Sequence, residues 1–208
     1  MPLTGPHLSS VLKSLLIPGM ILIISACTYQ RSYEPAPIGP LQSVYLIPGF
    51  EPIYNARVLI TRFQAPEYAG DAGKEAAAFL FSELQSRYPE VEMVLETSLD
   101  DAYPEHLLAY ARTNRFDLVI TGRILYLLDG GISTDSRVEE MIRVFTVRRE
   151  NLKAVAYAKA VETAAPLPEL DLFVIHGSGS EAPSAMSLLK RNSIKFSRLL
   201  GRLLSSEK

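Results

Sequence analysis

Hydrophobic and polar positions change period several times along the chain, and each change marks an element. The run Arg57–Phe63 is continuous and rich in branched residues, which predicts a buried strand. A loop with Pro66 and Gly70 ends it. Asp71 is placed to cap a helix whose apolar positions Ala77, Leu80, Phe81, Leu84 and Tyr88 recur at helical spacing, and Tyr88-Pro89 stops it. Val91, Met93 and Leu95 then alternate with Glu92, Val94 and Glu96, the pattern of a half-buried strand. A second helix starts near Pro104, carries Leu107, Leu108 and Ala111 inward, and stops near Asn114. Asp117–Tyr126 is the strongest strand signal in the chain. Strand, helix, strand, helix, strand predicts parallel pairing through right-handed crossovers.

Beyond Gly130-Gly131 the period is two. Val138, Glu140, Ile142, Val144 and Thr146 share one face, with Arg137, Glu139, Met141, Arg143, Phe145 and Val147 on the other. A polar turn follows, and then Val155, Tyr157, Lys159 and Val161 alternate with Ala154, Ala156, Ala158 and Ala160. This predicts a long antiparallel hairpin over 137–162. Its narrow alanine face suits a packed helix or another subunit. Residues 166–183 read as a loop around Leu172–Ile175. Ser184 to Leu204 reads as an amphipathic helix, with Met186, Leu189, Phe196, Leu199, Leu200 and Leu203 as the apolar stripe. Lys190, Arg191, Lys195, Arg198 and Arg202 read as its solvated cationic face. The expected fold class is α/β (α+β): a three-layer-like βαβαβ unit, then an antiparallel β-hairpin and a C-terminal helix, all on one mixed sheet spanning 53–208.

The amino-terminal pattern is different. Residues 1–13 bear His7 and Lys13 and no acidic group, and an apolar run follows from Leu15 to Ile24. Only 13 residues separate Lys13 from Cys27, where a membrane-spanning helix needs about 20. A basic start, a short apolar middle and a small-residue end are the parts of a secretory signal peptide. That end, Ile24-Ser25-Ala26-Cys27, resembles the lipobox of bacterial lipoproteins. The resemblance implies cleavage between Ala26 and Cys27 and a mature terminus at Cys27 carrying an S-diacylglycerol and an N-acyl chain. Thr28, where aspartate would signal retention in enteric-type bacteria, implies sorting to the outer membrane. Residues 27–52 hold five prolines, from Pro35 to Pro52, and read as an extended tether with one short edge strand at Ser43–Ile47.

Composition narrows the function. The chain has 208 residues, a net charge of −2 and a hydrophobic share of 48%, enough to build one cored domain. Loss of Lys13 with the signal peptide makes the mature chain more acidic still, which disfavours nucleic acid as a partner and any electrostatic attraction to anionic lipid. Attachment to the bilayer then depends on the acyl chains of Cys27. A single cysteine excludes a disulfide framework and a multi-thiolate zinc site. His106 reads as a surface residue, and His176 precedes Gly177-Ser178-Gly179-Ser180, which matches neither a phosphate loop nor a nucleophile elbow. Asp100-Asp101 and Glu139-Glu140 are adjacent acids, and on a strand the latter two point to opposite faces. Asp129-Gly130-Gly131 is turn chemistry. The sequence therefore nominates no catalytic residue, cofactor, metal site or small-molecule substrate.

The strand Val58–Phe63 with its loop and helix, and Asp117-Leu118-Val119-Ile120-Thr121-Gly122-Arg123-Ile124, resemble the small α/β domain of several bacterial envelope proteins. These are the amino-terminal domain of TolB, the curli-export lipoprotein CsgG, the wall-synthase activator LpoB, and PelC of polysaccharide export. The hairpin 137–162 supports the resemblance, which spans most of 54–205. The long lipid-facing strands of CsgG-like pores are missing, since Arg137, Glu139, Arg143 and Lys159 would be costly in lipid. The resemblance implies a non-enzymatic, periplasm-facing outer-membrane lipoprotein. It would be an accessory subunit of an export machine, with homo-oligomers and other envelope proteins as partners and the hairpin and 164–183 loop as its contact surface. The alternative it leaves open is an LpoB-like module that activates a peptidoglycan synthase. A periplasmic enzyme is the third reading.

Overall fold

The computed structural model describes residues 36–204 except 54, 168–169, 173–174 and 178. Cys27, Ala26, His7 and the rest of the signal segment lie outside the described residues. Six strands form one mixed sheet in the order β1-β6-β5-β4-β2-β3. They are β1 (Ser43–Leu46), β2 (Val58–Thr61), β3 (Met93–Glu96), β4 (Leu118–Leu128), β5 (Ser136–Val147) and β6 (Leu152–Ala164). Helices α1 (Ala72–Arg87), α2 (Pro104–Thr113) and α3 (Ala185–Leu204) complete this unit. Leu167–Ser180 belongs to a separate compact unit, where β7 (Leu170–Leu172) and β8 (Ile175–Gly177) pair antiparallel.

As the alternation of helix and strand requires, β2 is parallel to both β3 and β4. Neighbouring residues of a strand face opposite ways, so the buried strands feed two cores. Val58, Ile60, Leu118 and Ile120 meet α1 and α3 on one face, while Leu59 and Val119 meet Leu107 and Ala111 of α2 on the other. The result is three layers. The motif Asp117–Gly122 earns its residue types from this packing. The Asp117 carboxylate accepts the Arg57 N–H at 2.9 Å, and the Thr121 hydroxyl donates to Asp101 at 3.2 Å. Gly122 leaves room for the Phe63 ring, whose atoms would stand 2.4–2.5 Å from any Cβ there.

The hairpin is β5–β6, antiparallel over its whole length, with a bulge at Val155 that turns both Val155 and Ala156 inward. Its alanine face is covered by α3, one of the two covers the sequence allowed. The expected edge strand at Ser43 also forms: β1 pairs antiparallel with β6.

Four sequence expectations need correction. Asp71 does stand at the N-cap of α1, but its side chain makes no capping bond. It pairs instead with Lys74 at 3.0 Å. Met186 does not belong to the apolar stripe of α3 and is exposed, whereas Leu188 is buried. Lys195 and Arg191 do not lie on a solvated face. Lys195 is 5% exposed and binds Glu162 of β6 at 2.7 Å, with Arg191 on the other oxygen at 3.3 Å. Finally, Asp129 is more than turn chemistry, because its carboxylate accepts the Ala185 N–H at 2.7 Å and so satisfies an orphan donor at the start of α3.

Candidate functional site

In doubly wound sheets the crevice lies beyond the carboxyl ends of the strands, where the chain switches from one side to the other. Here β2 is followed by β3 on one side and β4 on the other, and polar residues gather at that place. Arg62 binds Asp100 at 2.9 Å. Arg143 of β5 binds Asp101, which also accepts from Thr121 of β4. Arg123 donates to Gln64, where a parallel bridge prolongs the β2–β4 pairing. A cavity of about 370 Å³ adjoins the cluster beside α2, lined by Asp101 and Arg143 with Leu107, Leu108, Phe145 and Leu152. A second, of about 390 Å³, lies at the start of α1 and is lined by Arg62, Gln64, Lys74 and Asp100.

The adjacent acids of the sequence thus separate into two ion pairs, each with an arginine distant in the chain. Register was the missing information: Thr121 stands opposite Arg143 only once β4 and β5 are paired. Both aspartates are held by guanidinium groups. His106 is exposed and stacks on Tyr103, with ring centroids 5.7 Å apart. His176 lies in β8, in the separate unit. Among the described residues, no three His, Cys, Asp or Glu side chains gather closely enough to hold a metal ion.

Glu139 and Glu140 behave as opposites, as their strand positions predicted. Lys159 and Arg137 donate to Glu139 on the open face and lower its pKa. Glu140 is buried under α3, and burial pushes its pKa up to about 8, which the amide of Asn192 moderates. Even so, Glu140 Oε2 and both amide atoms of Asn192 meet no partner in good hydrogen-bond geometry.

The contact surface expected on the hairpin is reduced by its place in the sheet. β4 and β1 occupy its two edges, and α3 covers one face. Among the described residues, the other face carries the exposed Arg137 and the half-buried Glu139, Arg143, Tyr157 and Lys159.

No protein-family profile and no curated protein matches the sequence. Solved structures do match. The PelC dodecamer from Paraburkholderia phytofirmans superimposes with a TM-score of 0.54 at 14% identity, over 79% of this chain and 99% of that one. A variant PelC dodecamer from the same organism gives 0.51 at 13% identity, over 78% and 99%. Lipoprotein GNA1162 from Neisseria meningitidis is more distant, at 0.36 and 12% identity over 52% and 83%. The described domain therefore has a PelC-like fold.

Proposed function

We propose that this chain is a lipid-anchored accessory subunit of an envelope export machine. Cys27 holds it to the outer membrane, the α/β domain faces the periplasm, and the chain works as a homo-oligomer, by contact and not by catalysis. The observation that carries this reading is the match to PelC, a dodecamer, over 99% of that chain. The lipobox-like Ile24–Cys27 supports the anchor independently.

The export reading is favoured over the wall-synthase reading by the tether. Because Ser43–Leu46 is paired into the sheet, the stretch free to extend is far shorter than residues 27–52. The nine steps from Cys27 to Ala36 reach at most about 32 Å.

The test combines fractionation and light scattering. Each buried methylene contributes about 0.8 kcal/mol, so two or three acyl chains hold the protein where one would not. Cys27→Ser is expected to move the protein from the membrane pellet to the soluble fraction, or to leave it as unprocessed precursor. Unchanged partition with normal processing would refute the anchor. Light scattering on the detergent-solubilised mature chain is expected to give a multiple of the protomer mass. A strict monomer at high concentration refutes the oligomer.

A further inference from the structure

The two faces of the sheet are covered unequally. Helices α1 and α3, with 16 and 20 residues, pack on one of them. Among the described residues the other carries α2 alone, with 10 residues, seated on Leu59 of β2 and Val119 of β4. Beside α2 the hairpin has no helix over this face, and the cavity of about 370 Å³ opens there. Its walls continue the core under α2. Leu107 belongs to that core, Phe145 and Leu152 pack against it, and Leu108 lines the cavity from the helix. An apolar hollow of this size is more than twice the roughly 150 Å³ that admits benzene, and falls in the range of small-molecule sites.

One polar group is set into this apolar wall. The Asp101 side chain is 7% exposed, and its Oδ2 accepts from Arg143 and from Thr121. Its Oδ1 is buried and meets no partner. Two other carboxylates of the same domain show what such a group takes when both oxygens are filled. Glu162, 10% exposed, has Lys195 on one oxygen at 2.7 Å and Arg191 on the other at 3.3 Å. Glu139, 19% exposed, has Arg137 on one at 2.6 Å and Lys159 on the other at 2.8 Å. Asp101 is more deeply buried than either, yet a cation holds one of its oxygens only. A buried acceptor left unfilled carries a desolvation cost that a further donor relieves. The terminal torsion of an aspartate is broad, so Oδ1 turns toward an incoming donor at little cost.

Charge around the opening selects the sign of that donor. Glu105 and Glu150 line it, both exposed, and with Asp101 they set three acids against the single guanidinium of Arg143. Arg143 is already engaged by Asp101 and by the Phe145 ring, whose centroid lies 5.7 Å away. An anionic head would be repelled here, whereas an ammonium is attracted. We propose that this cavity is a binding site for a small amphipathic amine. An aromatic or short aliphatic body fills the space between α2 and the hairpin, and the ammonium donates to Asp101 Oδ1 as Lys195 does to Glu162 Oε1. The site goes beyond the export reading and stands without either the anchor or the oligomer.

The probe is phenethylamine, compared with phenethyl alcohol, which has the same shape without the charge, and with hydrocinnamate, an anion. The mature chain is made without its signal segment and with Cys27→Ser, so that no acyl chain or detergent competes for the probes. Leucine methyl spectra stay readable in a large oligomer and locate the probe. Expected are saturable shifts of the Leu107, Leu108 and Leu152 methyls with the amine, half-complete at about 1 mM. The alcohol is expected to bind about tenfold more weakly, and hydrocinnamate to give no saturable shift. Asp101→Asn should bring the amine down to the affinity of the alcohol, and Leu108→Trp, which fills the hollow, should abolish both. Asp101→Asn also strips Arg143 of its partner, so if that variant does not fold, Glu105→Gln with Glu150→Gln decides at exposed positions. There the amine should weaken about threefold and the alcohol not at all. Equal affinities for amine and alcohol in the parent chain overturn the inference. So do an amine that binds either acid-to-amide variant undiminished, tighter binding of hydrocinnamate, or no saturable shift of those methyls at up to about 10 mM of any probe.

Discussion

Lys195→Ala is expected to destabilise the domain by about 3–5 kcal/mol, because it leaves a buried carboxylate without its closest counter-charge. The Lys195 side chain is 4% exposed, and its ammonium stands 2.7 Å from Glu162 Oε1 and also donates to the Val161 carbonyl at 3.1 Å. Removing it strips both acceptors at once, and Arg191 at 3.3 Å reaches only the other carboxylate oxygen. Replacing the whole pair differs from breaking it, since two apolar side chains of similar size remove the desolvation penalty together with the attraction. Lys195→Met combined with Glu162→Leu is therefore expected to recover most of the loss. Urea unfolding of the mature chain, of Lys195→Met and Glu162→Leu singly, and of the double variant measures the cycle. With a slope of about 2 kcal/mol per molar urea, the Lys195→Ala midpoint falls by about 2 M. A shift of a few tenths of a molar would mean that water reaches Glu162 and that the pair contributes little.

That ion pair also shows where the sequence stops being informative. The periodicity of 185–204 located α3 and most of its stripe, and the alternation of 137–162 gave the hairpin and its two faces, with Glu139 and Glu140 on opposite ones. These are local signals, carried by residues within a turn or two of one another. Lys195 belongs to the same periodicity as Lys190 and Arg198, which are exposed. Only the passage of β6 beneath α3 brings Glu162 to Lys195 and makes it a core residue. The Arg143–Asp101–Thr121 cluster was hidden for the same reason, as its members come from three elements whose register no local pattern encodes. Leu125, Tyr126 and Leu128 read simply as strand residues, yet all three are exposed. Their exposure follows from β4 outrunning β2, which depends on the lengths of two separate strands. The lipobox-like segment is the reverse case, written entirely in consecutive residues.

Glu140→Gln is expected to stabilise the domain at alkaline pH and to leave it almost unchanged near pH 5. Burial raises the Glu140 pKa from 4.5 to about 8. Between those values the native chain holds a proton that the unfolded chain has released. Stability therefore falls as pH rises through this window, at about 1.4 kcal/mol per pH unit. Below pH 4.5 both states are protonated and the side chain costs nothing. Above pH 8 the whole difference is lost, on the order of 5 kcal/mol for a group this deeply buried. Glutamine keeps the shape of the neutral acid and cannot ionise, so it avoids that loss. Glu139 and Glu96, whose pKa values are lowered, have the opposite sign: the stability they contribute is present above their ordinary range and fades as pH falls. Both are retained in the variant, so their effect cancels in the comparison. Urea midpoints of the two chains, measured between pH 5 and 8.5, should coincide at the acid end and separate steadily toward the alkaline end. Two curves that stay parallel throughout would show that Glu140 is already ionised in the native state, and that Asn192 or water solvates it under α3.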